Sequence, residues 1–291
     1  MNLIDSEVQA VKPVTAGDAA AFARQGAVLV RGLLNDHWIE VLRTVFEEHK
    51  AHAMDMTGYD AERYSADEAP VPKSTLVKDD IWLENSLMRQ FLTQSPVALA
   101  AAHIMGSPVT RVFEDLLIYK EAGVSGPTPW HQDEPQWPLS GEQMASAWLS
   151  LESTTPDTGA LRFVAGSHRG PLYIPYVPSA LRDQLAEDMH HFTGGPLPDV
   201  DADPERHPVV CFATEPGDVI LFHPRTIHAA YGCAANRPRR TFSIRFIGAD
   251  VRWHPKASVI HPWLRDISLA LGDPVTGSRF PQFWPPEKDA A

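Results

Sequence analysis

The chain has 291 residues, enough for one large domain or two ordinary ones, and its formal net charge is -12. Acidic and basic residues are interspersed and form no basic stripe for phosphates, so nucleic acid is not an expected partner. Two isolated cysteines, Cys211 and Cys233, and the lack of any run of eighteen apolar residues predict a cytoplasmic protein without disulfides or membrane spans.

Residues 15–106 are predicted to be mainly helical. The stretch "NDHWIEVLRTVFEEHK" has apolar residues at helical spacing, with Asn35 or Asp36 as its N-cap. A further helix is predicted in "SPVALAAAHIMG", with Ser95 as the cap and Gly106 as the stop. One apolar run, "AVLVRGLL" at 27–34, is rich enough in Val and Leu to be a strand. The first third is therefore expected to form a helical layer.

From Val109 onward the chain consists of short apolar or alternating runs separated by Gly, Pro, Asn and Asp. These runs are "RVFEDLLIYK", "MASAWLSLES", "GALRFVAGSH", "PVVCFAT", "GDVILFH" and "RTFSIRFIGADV". Their length and spacing favour an antiparallel sandwich or barrel over alternating βαβ units. A jelly roll fits this pattern best, which gives an all-β core with flanking helices, an α+β arrangement.

One long interruption, residues 171–208, is rich in Pro, Gly and acidic residues and contains the short helical pattern "PSALRDQLAEDMHH". A segment of this length within a compact domain is either a lid over a site or a mobile insertion, and both remain open. We expect one domain over 1–291, with a helical layer at 15–106, a jelly-roll core at 107–250, this insertion, and a C-terminal strap at 251–291.

The stretch "PWHQDEPQW" places His131 and Asp133 two residues apart, a spacing that puts both side chains on one side of an extended segment. Two histidines and one carboxylate on one face of a metal ion is the arrangement of non-haem Fe(II) oxygenases. The pair needs a third ligand from a distant strand. By itself it also suits a hydrogen-bonded polar turn between strands.

The second half supplies candidates for the missing parts in "GDVILFHPRTIHAAYGCAANRPRRTFSIRF". His223 and His228 follow an apolar strand, and Arg239 and Arg240 open an alternating strand after a Gly- and Pro-containing loop. A histidine and an arginine on neighbouring strands would let one end hold a metal ion and the other clamp a carboxylate bidentately. This combination suits a dicarboxylic acid that chelates a metal.

The motifs "PWHQD", "TGALRFVAGSHRG" and "GDVILFHPRTIHAA" followed by "NRPRRTFSIRF" cover roughly residues 116–246. In order and spacing they resemble the phytanoyl-CoA dioxygenase family of Fe(II)- and 2-oxoglutarate-dependent oxygenases. The resemblance implies a double-stranded β-helix, or cupin-like jelly roll, that uses Fe(II), the cosubstrate 2-oxoglutarate and O2. It implies these iron ligands: His131, Asp133 and His228.

The same resemblance implies that Arg239, eleven residues after His228, pairs with the distal carboxylate of 2-oxoglutarate. His223 falls where the family often has a non-ligand histidine, and Arg240 is expected on the opposite face of its strand. Three further residues are expected around the cosubstrate: Trp148, Lys78 and Tyr119. Two positions depart from the family pattern, Ala230 in place of a small hydroxyl residue and Thr158 in place of Asn.

The implied reaction is hydroxylation of an unactivated C–H bond in a small organic molecule, with release of succinate and CO2. Asp133 argues against a halogenase, since halogenases of related fold lack this carboxylate. No basic patch suits the phosphates of CoA, so a small molecule of specialised metabolism or catabolism is the expected partner. The expected substrate contacts, from the segment after the metal pair and from the later loop, are Glu134, Trp137, Met144 and Tyr231.

Three alternatives remain open at this point. The same ligand set supports desaturation, cyclisation or epimerisation in place of hydroxylation. A zinc-dependent hydrolase or isomerase would use the same two histidines and one carboxylate, although Arg239 and the lack of an obvious general base count against it. A non-catalytic jelly-roll binding module would keep the His-Asp pair as a structural feature.

Overall fold

The computed structural model describes residues 14–55, 75–123, 126–177, 182–233, 237–257 and 267–286. Within these ranges two antiparallel sheets face each other, and helices cover the outer side of the larger sheet. This is the all-β core with flanking helices predicted from the sequence. In the same ranges no helix has the length and apolar character that a membrane crossing requires.

The helices in the described part of the chain lie mostly in its first third. They are α1 (Ala16–Gln25), α2 (Asp36–His49), α3 (Ser86–Gln94), α4 (Val97–Met105) and α5 (Arg182–Asp188). Helix α1 begins with a capping box, in which Thr15 Oγ1 accepts from the Asp18 N–H and the Asp18 carboxylate accepts from the Thr15 N–H. Asn35 caps α2 by accepting from the Trp38 N–H at 3.2 Å, which selects Asn35 over Asp36.

The start of α4 differs from the sequence prediction. Ser95 has extended backbone angles and ends α3, and Pro96 occupies the N-cap position of α4. The predicted stop is observed, because Gly106 takes a left-handed φ of +61° and its N–H returns to the last helical carbonyls. One Ser-Pro pair therefore serves as the joint between two consecutive helices.

Fourteen strands are observed in the described residues. They are β1 (Ala27–Val30), β2 (Met54–Asp55), β3 (Thr75–Asp79), β4 (Thr110–Lys120), β5 (Thr128–His131), β6 (Leu139–Ser140), β7 (Met144–Ser150), β8 (Leu161–Val164), β9 (Val209–Cys211), β10 (Val219–Phe222), β11 (His228–Ala230), β12 (Arg239–Ile247), β13 (Arg252–Trp253) and β14 (Gln282–Trp284). The strand predicted at 27–34 is shorter than expected, because Asp218 binds Arg31 and the Gly32 N–H and turns the chain there.

The larger sheet has the strand order β1-β10-β7-β12-β4-β3-β2, with β14 also paired to β4. The smaller sheet has the order β5-β11-β8-β9, and β6 pairs with β13 apart from both. In the larger sheet the long strand β12 lies between β7 and β4. It therefore presents residues both to the helical layer and to the space between the sheets.

The two faces of β12 have different surroundings because successive side chains alternate. Phe242, Ile244 and Phe246 belong to the core cluster that the larger sheet shares with α2, α3 and α4. Arg239 and Arg245 lie on the other face and line a cavity between the sheets. Apolar packing against the helices thus fixes a strand whose inner face carries cationic side chains.

The predicted insertion and strap are described in part. Residues 171–177 run without regular structure before α5, and residues 178–181 of the insertion lie outside the described residues. In the C-terminal segment β14 pairs antiparallel with the edge of β4, with Gln282 opposite Arg111. The strap predicted at 251–291 includes residues 258–266 and 287–291, which lie outside the described ranges.

Candidate active site

Two histidines lie directly opposite each other on neighbouring strands of the smaller sheet. His131 ends β5, His228 begins β11, and the antiparallel register pairs them. Their ring centroids are 4.1 Å apart. Asp133 follows β5, and its N–H donates to the Pro224 carbonyl at 2.9 Å, which holds this turn beside β11. The sheet register thus brings together the three residues predicted as metal ligands.

Backbone carbonyls determine which nitrogen of each imidazole faces Asp133. His131 Nδ1 lies 2.8 Å from the Pro129 carbonyl oxygen, and His228 Nδ1 lies 2.9 Å from that of Thr226. Because a carbonyl only accepts, each Nδ1 carries the proton and each Nε2 keeps a lone pair. The Nε2 atoms of His131 and His228 lie 3.5 and 3.8 Å from Asp133 Oδ1. All three potential ligand atoms lie within 4.8 Å of one another.

The protonation states of this triad suit a cation. Burial lowers the pKa of His228 to about 4, so its imidazole is neutral at neutral pH. Burial acts to raise the pKa of Asp133, but His228, His131 and Arg245 together hold it well below its usual range. Neutral imidazoles and an ionised carboxylate are what a metal ion requires of its ligands. Three lone-pair donors converging on one point repel each other, and a divalent cation among them removes that repulsion.

A cavity of about 110 Å³ extends from the triad into the space between the sheets. Its lining includes Trp148 and Arg239, together with the hydroxyl-bearing residues Thr128 and Ser243. Ala230, where the family resemblance leads one to expect a hydroxyl, also lines it. The hydroxyl groups around this cavity therefore come from strands other than β11.

Arg239, which is 3% exposed, is one of two arginines that line this cavity, the other being Arg245. Arg239 Nη1 donates to the Gly159 carbonyl, its guanidinium carbon lies 5.6 Å from the Trp148 ring centroid, and its buried Nε has no hydrogen-bond partner in the described structure. Burial lowers the pKa of Arg239 to about 10, so it is still charged at neutral pH. A buried guanidinium with unused donors fits a ligand carboxylate. The residues present therefore fit a metal ion together with a small dicarboxylate.

A second cavity, of about 610 Å³, opens on the other side of the triad. It shares His131, Asp133 and Arg245 with the first cavity, so the two spaces meet at the triad. Its walls are mostly aromatic, proline and aliphatic residues. Those from the 171–208 segment are Tyr173, Ile174, Pro175, Tyr176, Pro196 and Leu197.

Two glutamines next to the triad hold this wall in place. Gln132 Nε2 donates to the Pro171 carbonyl at 3.1 Å, and its Oε1 accepts from the Tyr173 N–H at 2.9 Å. Gln136 Nε2 donates to the Tyr176 carbonyl at 2.8 Å. Each bond joins the metal-binding turn to the first part of the 171–208 segment. The wall and the triad are therefore mechanically connected.

Two residues predicted to bind the cosubstrate lie away from the cavity. Lys78 on β3 places its Nζ 3.1 Å from a Glu84 carboxylate oxygen. Tyr119 faces the helical layer, where its ring lies 6.0 Å from that of Phe46 and 4.2 Å from Lys50 Nζ. Neither lines the first cavity, whereas Trp148 and Arg239 do. The alternation of β3 and β4 explains this, since both residues lie on the side away from the smaller sheet.

A different lysine reaches the cavity wall. Lys120, 1% exposed at the end of β4, donates from Nζ to Thr128 Oγ1 and to the Gly126 carbonyl, both at 2.9 Å. Thr128 in turn lines the first cavity. Lys120 is one residue beyond Tyr119 and therefore points to the opposite face. Leu116 also lines the cavity, and alternate residues of a strand share a face, so Lys120, four residues later, is expected on the cavity side.

The four predicted substrate contacts are also distributed differently from the prediction. Glu134 is bound bidentately by Arg225, at 2.7 and 2.9 Å, and is 3% exposed. Trp137 and Met144 are buried in an apolar cluster below the site, and Tyr231 lies under Arg162, whose guanidinium carbon is 4.8 Å from its ring centroid. None of the four lines either cavity. The residues that do line the second cavity come from 129–136, from the insertion and from Arg245.

The remaining histidine and arginine lie as expected. His223 donates through Nε2 to the Glu142 carbonyl at 3.2 Å and is not part of the triad. Arg240 points to the helical side, where it pairs with Glu152 and Glu47. Arg245 was not among the residues predicted from the sequence. It lies six residues after Arg239 on β12, so strand alternation places both side chains on the same face.

Comparisons with known proteins agree with this arrangement. The chain is 25% identical to the ectoine dioxygenase of Sphingopyxis alaskensis over 81% of this chain and 77% of that protein. Among solved structures it is similar to the non-heme alpha ketoglutarate dependent carbocyclase SnoK from nogalamycin biosynthesis, with a TM-score of 0.73, 22% identity, and coverage of 94% of this chain and 98% of that one.

A second solved structure is the epimerase SnoN in complex with Fe3+, alpha ketoglutarate and nogalamycin RO. It gives a TM-score of 0.70 and 24% identity, covering 92% of this chain and 97% of that one. These similarities confirm the predicted fold. The model of the phytanoyl-CoA dioxygenase family, PhyH, matches residues 22–241, which is more than half of the chain. The chain therefore belongs to the phytanoyl-CoA dioxygenase family, as its motifs predicted.

Proposed function

We propose that this protein is an Fe(II)- and 2-oxoglutarate-dependent dioxygenase that hydroxylates an unactivated C–H bond of a small organic molecule. The observation that carries the proposal is the position of a two-histidine, one-carboxylate triad and an unpaired buried arginine in one cavity. When bound, iron and 2-oxoglutarate supply O2 activation, with 2-oxoglutarate converted to succinate and CO2. The protein supplies binding, orientation and exclusion of water.

The iron would be held by His131, Asp133 and His228 through two imidazole Nε2 atoms and one carboxylate oxygen. The bonds from each Nδ1 to a backbone carbonyl keep both rings in the ligating orientation. A set of three protein ligands would leave coordination positions for cosubstrate and O2. Because Asp133 is present, it would take the ligand position that a halogenase leaves for halide.

The distal carboxylate of 2-oxoglutarate would be held by Arg239. Its guanidinium lies over the Trp148 ring, and this contact restricts the orientation of its N–H donors. The Thr128 hydroxyl, positioned by Lys120, offers a further donor at the same cavity. Lys78 and Tyr119 are not included in this proposal, because both lie outside the cavity.

The second cavity would hold the substrate against the open face of the metal. Its volume of about 610 Å³ lies in the usual range for small-molecule sites. The segment 171–177, held by Gln132 and Gln136, would act as a lid over this cavity, one of the two readings left open for the insertion. A lid that excludes water would suit an oxidation in which the substrate C–H bond must be the only available reductant.

Oxidative cyclisation or epimerisation is the second candidate, favoured by the similarity in fold to a carbocyclase and an epimerase. These reactions need the same ligand set. The zinc hydrolase alternative is disfavoured because Glu134, the carboxylate next to the triad that would serve as general base, is held by Arg225. A binding module gives no role to an unpaired buried Arg239.

We place the protein in the cytoplasm. Its two cysteines, Cys211 and Cys233, are free thiols, one exposed and one buried, which suits a reducing compartment. A small-molecule substrate is the proposed partner, with no nucleic acid and no membrane.

The proposal is tested by succinate formation from 2-oxoglutarate with and without Fe(II), for wild type, His131→Ala and the control His223→Gln. We expect iron-dependent succinate in wild type and His223→Gln and none in His131→Ala. His223 is a matched control because it is a buried, backbone-bonded histidine outside the triad. Iron-dependent turnover that survives in His131→Ala would contradict the assignment of the ligands.

A further inference from the structure

Arg245 lies at the boundary between the two cavities and lines both. It is six residues after Arg239 on the same face of β12, a distance of roughly 20 Å along an extended strand. Arg239 is therefore placed for one end of the cosubstrate, and Arg245 is placed beyond the triad. The strand thus provides Arg239 to the first cavity alone and Arg245 to the boundary between the two.

The hydrogen bonds of Arg245 are incomplete. Its Nη1 donates to Glu114, the residue directly opposite on β4, and its guanidinium carbon lies 5.1 Å from the Trp137 ring centroid. Its Nε is buried and has no hydrogen-bond partner within the described ranges. A buried charged donor left without an acceptor is costly, and a ligand oxygen at this position removes the cost.

Charge balance selects the kind of oxygen. Glu114, whose side chain is 0% exposed, already provides Arg245 with a buried carboxylate. Of the residues lining the second cavity, Arg245 and the proposed metal ligand Asp133 alone carry formal charge. A second carboxylate beside Arg245 would be a buried negative charge without a cation of its own. An uncharged carbonyl oxygen satisfies Nε without this penalty.

The other residues that line the second cavity indicate the shape and polarity of the rest of the ligand. Trp130, Tyr173 and Tyr176 contribute aromatic surface, and prolines and aliphatic residues complete the lining. Aromatic and proline walls favour flat or ring-shaped apolar ligands. The amide groups of Gln132 and Gln136, which also line this cavity, bond to the backbone of 171–177.

We propose that Arg245 is a substrate-binding residue and that the second cavity takes an apolar, ring-bearing substrate with an uncharged carbonyl oxygen that accepts from Arg245 Nε–H. This inference rests on the proposed function, and it gives that site a substrate class. The bond orients the substrate because Arg245 is itself fixed by Glu114 on the neighbouring strand. The carbonyl is held next to the triad, so the reacting carbon lies within a few bonds of it.

Three naphthalenes of similar shape test this proposal: 2-acetylnaphthalene, its hydrocarbon analogue 2-isopropenylnaphthalene, and 2-naphthoate. Their binding is measured by equilibrium dialysis against the protein loaded with Fe(II) and 2-oxoglutarate under anaerobic conditions. The variant is the double substitution Arg245→Met/Glu114→Gln, which removes the ion pair without leaving a buried charge. The matched control, Arg240→Met/Glu152→Gln, removes an Arg–Glu pair from the outer face of the same strand.

We expect wild type and the control to bind the ketone about 10- to 100-fold more tightly than the hydrocarbon, the effect of one hydrogen bond from a charged donor. In Arg245→Met/Glu114→Gln the preference disappears while hydrocarbon binding is unchanged. Equal affinity for ketone and hydrocarbon in wild type would overturn the role of Arg245. Tighter binding of 2-naphthoate than of the ketone would overturn the uncharged acceptor, and no binding of any probe would overturn the apolar class.

Failure of this inference is distinguishable from failure of the proposed function. Calorimetric titration of 2-oxoglutarate into the same proteins, loaded with Fe(II) only, reports the cosubstrate site independently of the probes. If metal-dependent 2-oxoglutarate binding is present but the ketone preference is absent, the substrate inference alone is wrong. If that binding is absent in wild type, the proposed function itself is wrong.

Discussion

Replacement of Arg239 by methionine should stabilise the ligand-free protein and remove most of the further stabilisation that 2-oxoglutarate gives. Burial lowers the pKa of Arg239 to about 10 from an ordinary value of 12.5. At 1.36 kcal/mol per pKa unit, the charged guanidinium costs the fold roughly 3 kcal/mol. The substitution also loses the hydrogen bond to the Gly159 carbonyl, which offsets about 1 kcal/mol of the stability gained by removing the charge. We expect Arg239→Met to be more stable than wild type by about 1 to 2 kcal/mol.

The neighbouring arginine should respond in the opposite direction. Arg240 is half-buried and pairs with Glu152 and with the exposed Glu47. Because solvent screens these pairs, Arg240→Met should destabilise the protein by about 1 kcal/mol or less. Arg240 lies outside the cavity, so the response to 2-oxoglutarate should be that of wild type. Two consecutive residues thus form a matched pair with opposite expected outcomes.

The assay is urea unfolding under anaerobic conditions, with and without Fe(II) and 2-oxoglutarate. At a cosubstrate concentration of 100 times Kd, wild type and Arg240→Met should gain about 2.7 kcal/mol. Arg239→Met should gain no more than about 0.9 kcal/mol at the same concentration, because loss of a buried charge partner weakens binding by at least roughly 30-fold. A less stable Arg239→Met protein that still gains the full amount from 2-oxoglutarate would refute the reasoning.

Three further predictions concern stability and the lid. Burial raises the pKa of Asp115 to about 8, so the contribution of this residue to stability is full below about pH 4 and is lost as pH rises through 8. Asp115→Asn should remove this part of the decline and be more stable than wild type at pH 8, as measured by urea midpoints across pH. Gln132→Ala loses the bonds to Pro171 and Tyr173, and hydrogen exchange of 171–177 should then increase, by roughly 10-fold or more, while exchange in β12 stays unchanged. Gly26→Ala should cost at least about 2 kcal/mol, since its φ is +81° and an added Cβ would lie 2.5 Å from two side-chain atoms; unchanged thermal stability would contradict this.

The metal triad could be predicted from the sequence because its residues lie in two short motifs, each of which is recognisable by itself. His131 and Asp133 have the spacing of neighbours on one side of an extended segment, and His228 lies in a motif whose order along the chain is distinctive. Strand alternation placed Arg239 inward and Arg240 outward. The same rule, applied from Leu116, points to Lys120 and away from Tyr119.

The substrate wall could not be predicted in the same way. Glu134, Trp137 and Met144 are close to the triad in sequence, but a turn after Asp133 directs them into ion pairs and an apolar cluster. Besides 129–136 and Arg245, the residues that line the second cavity come from 173–176 and 196–197, and two glutamines bond the first of these segments through long-range contacts. Nothing in the local pattern of such a segment specifies where it folds back.

The measurement that tests the central claim most directly is an anaerobic calorimetric titration of 2-oxoglutarate into wild type, His131→Ala and Arg239→Met, each with and without Fe(II). The account predicts one binding event per chain in wild type that requires Fe(II), its loss in His131→Ala, and at least roughly 30-fold weaker binding in Arg239→Met. Binding in wild type that is independent of Fe(II), or equal in all three proteins, would contradict the account.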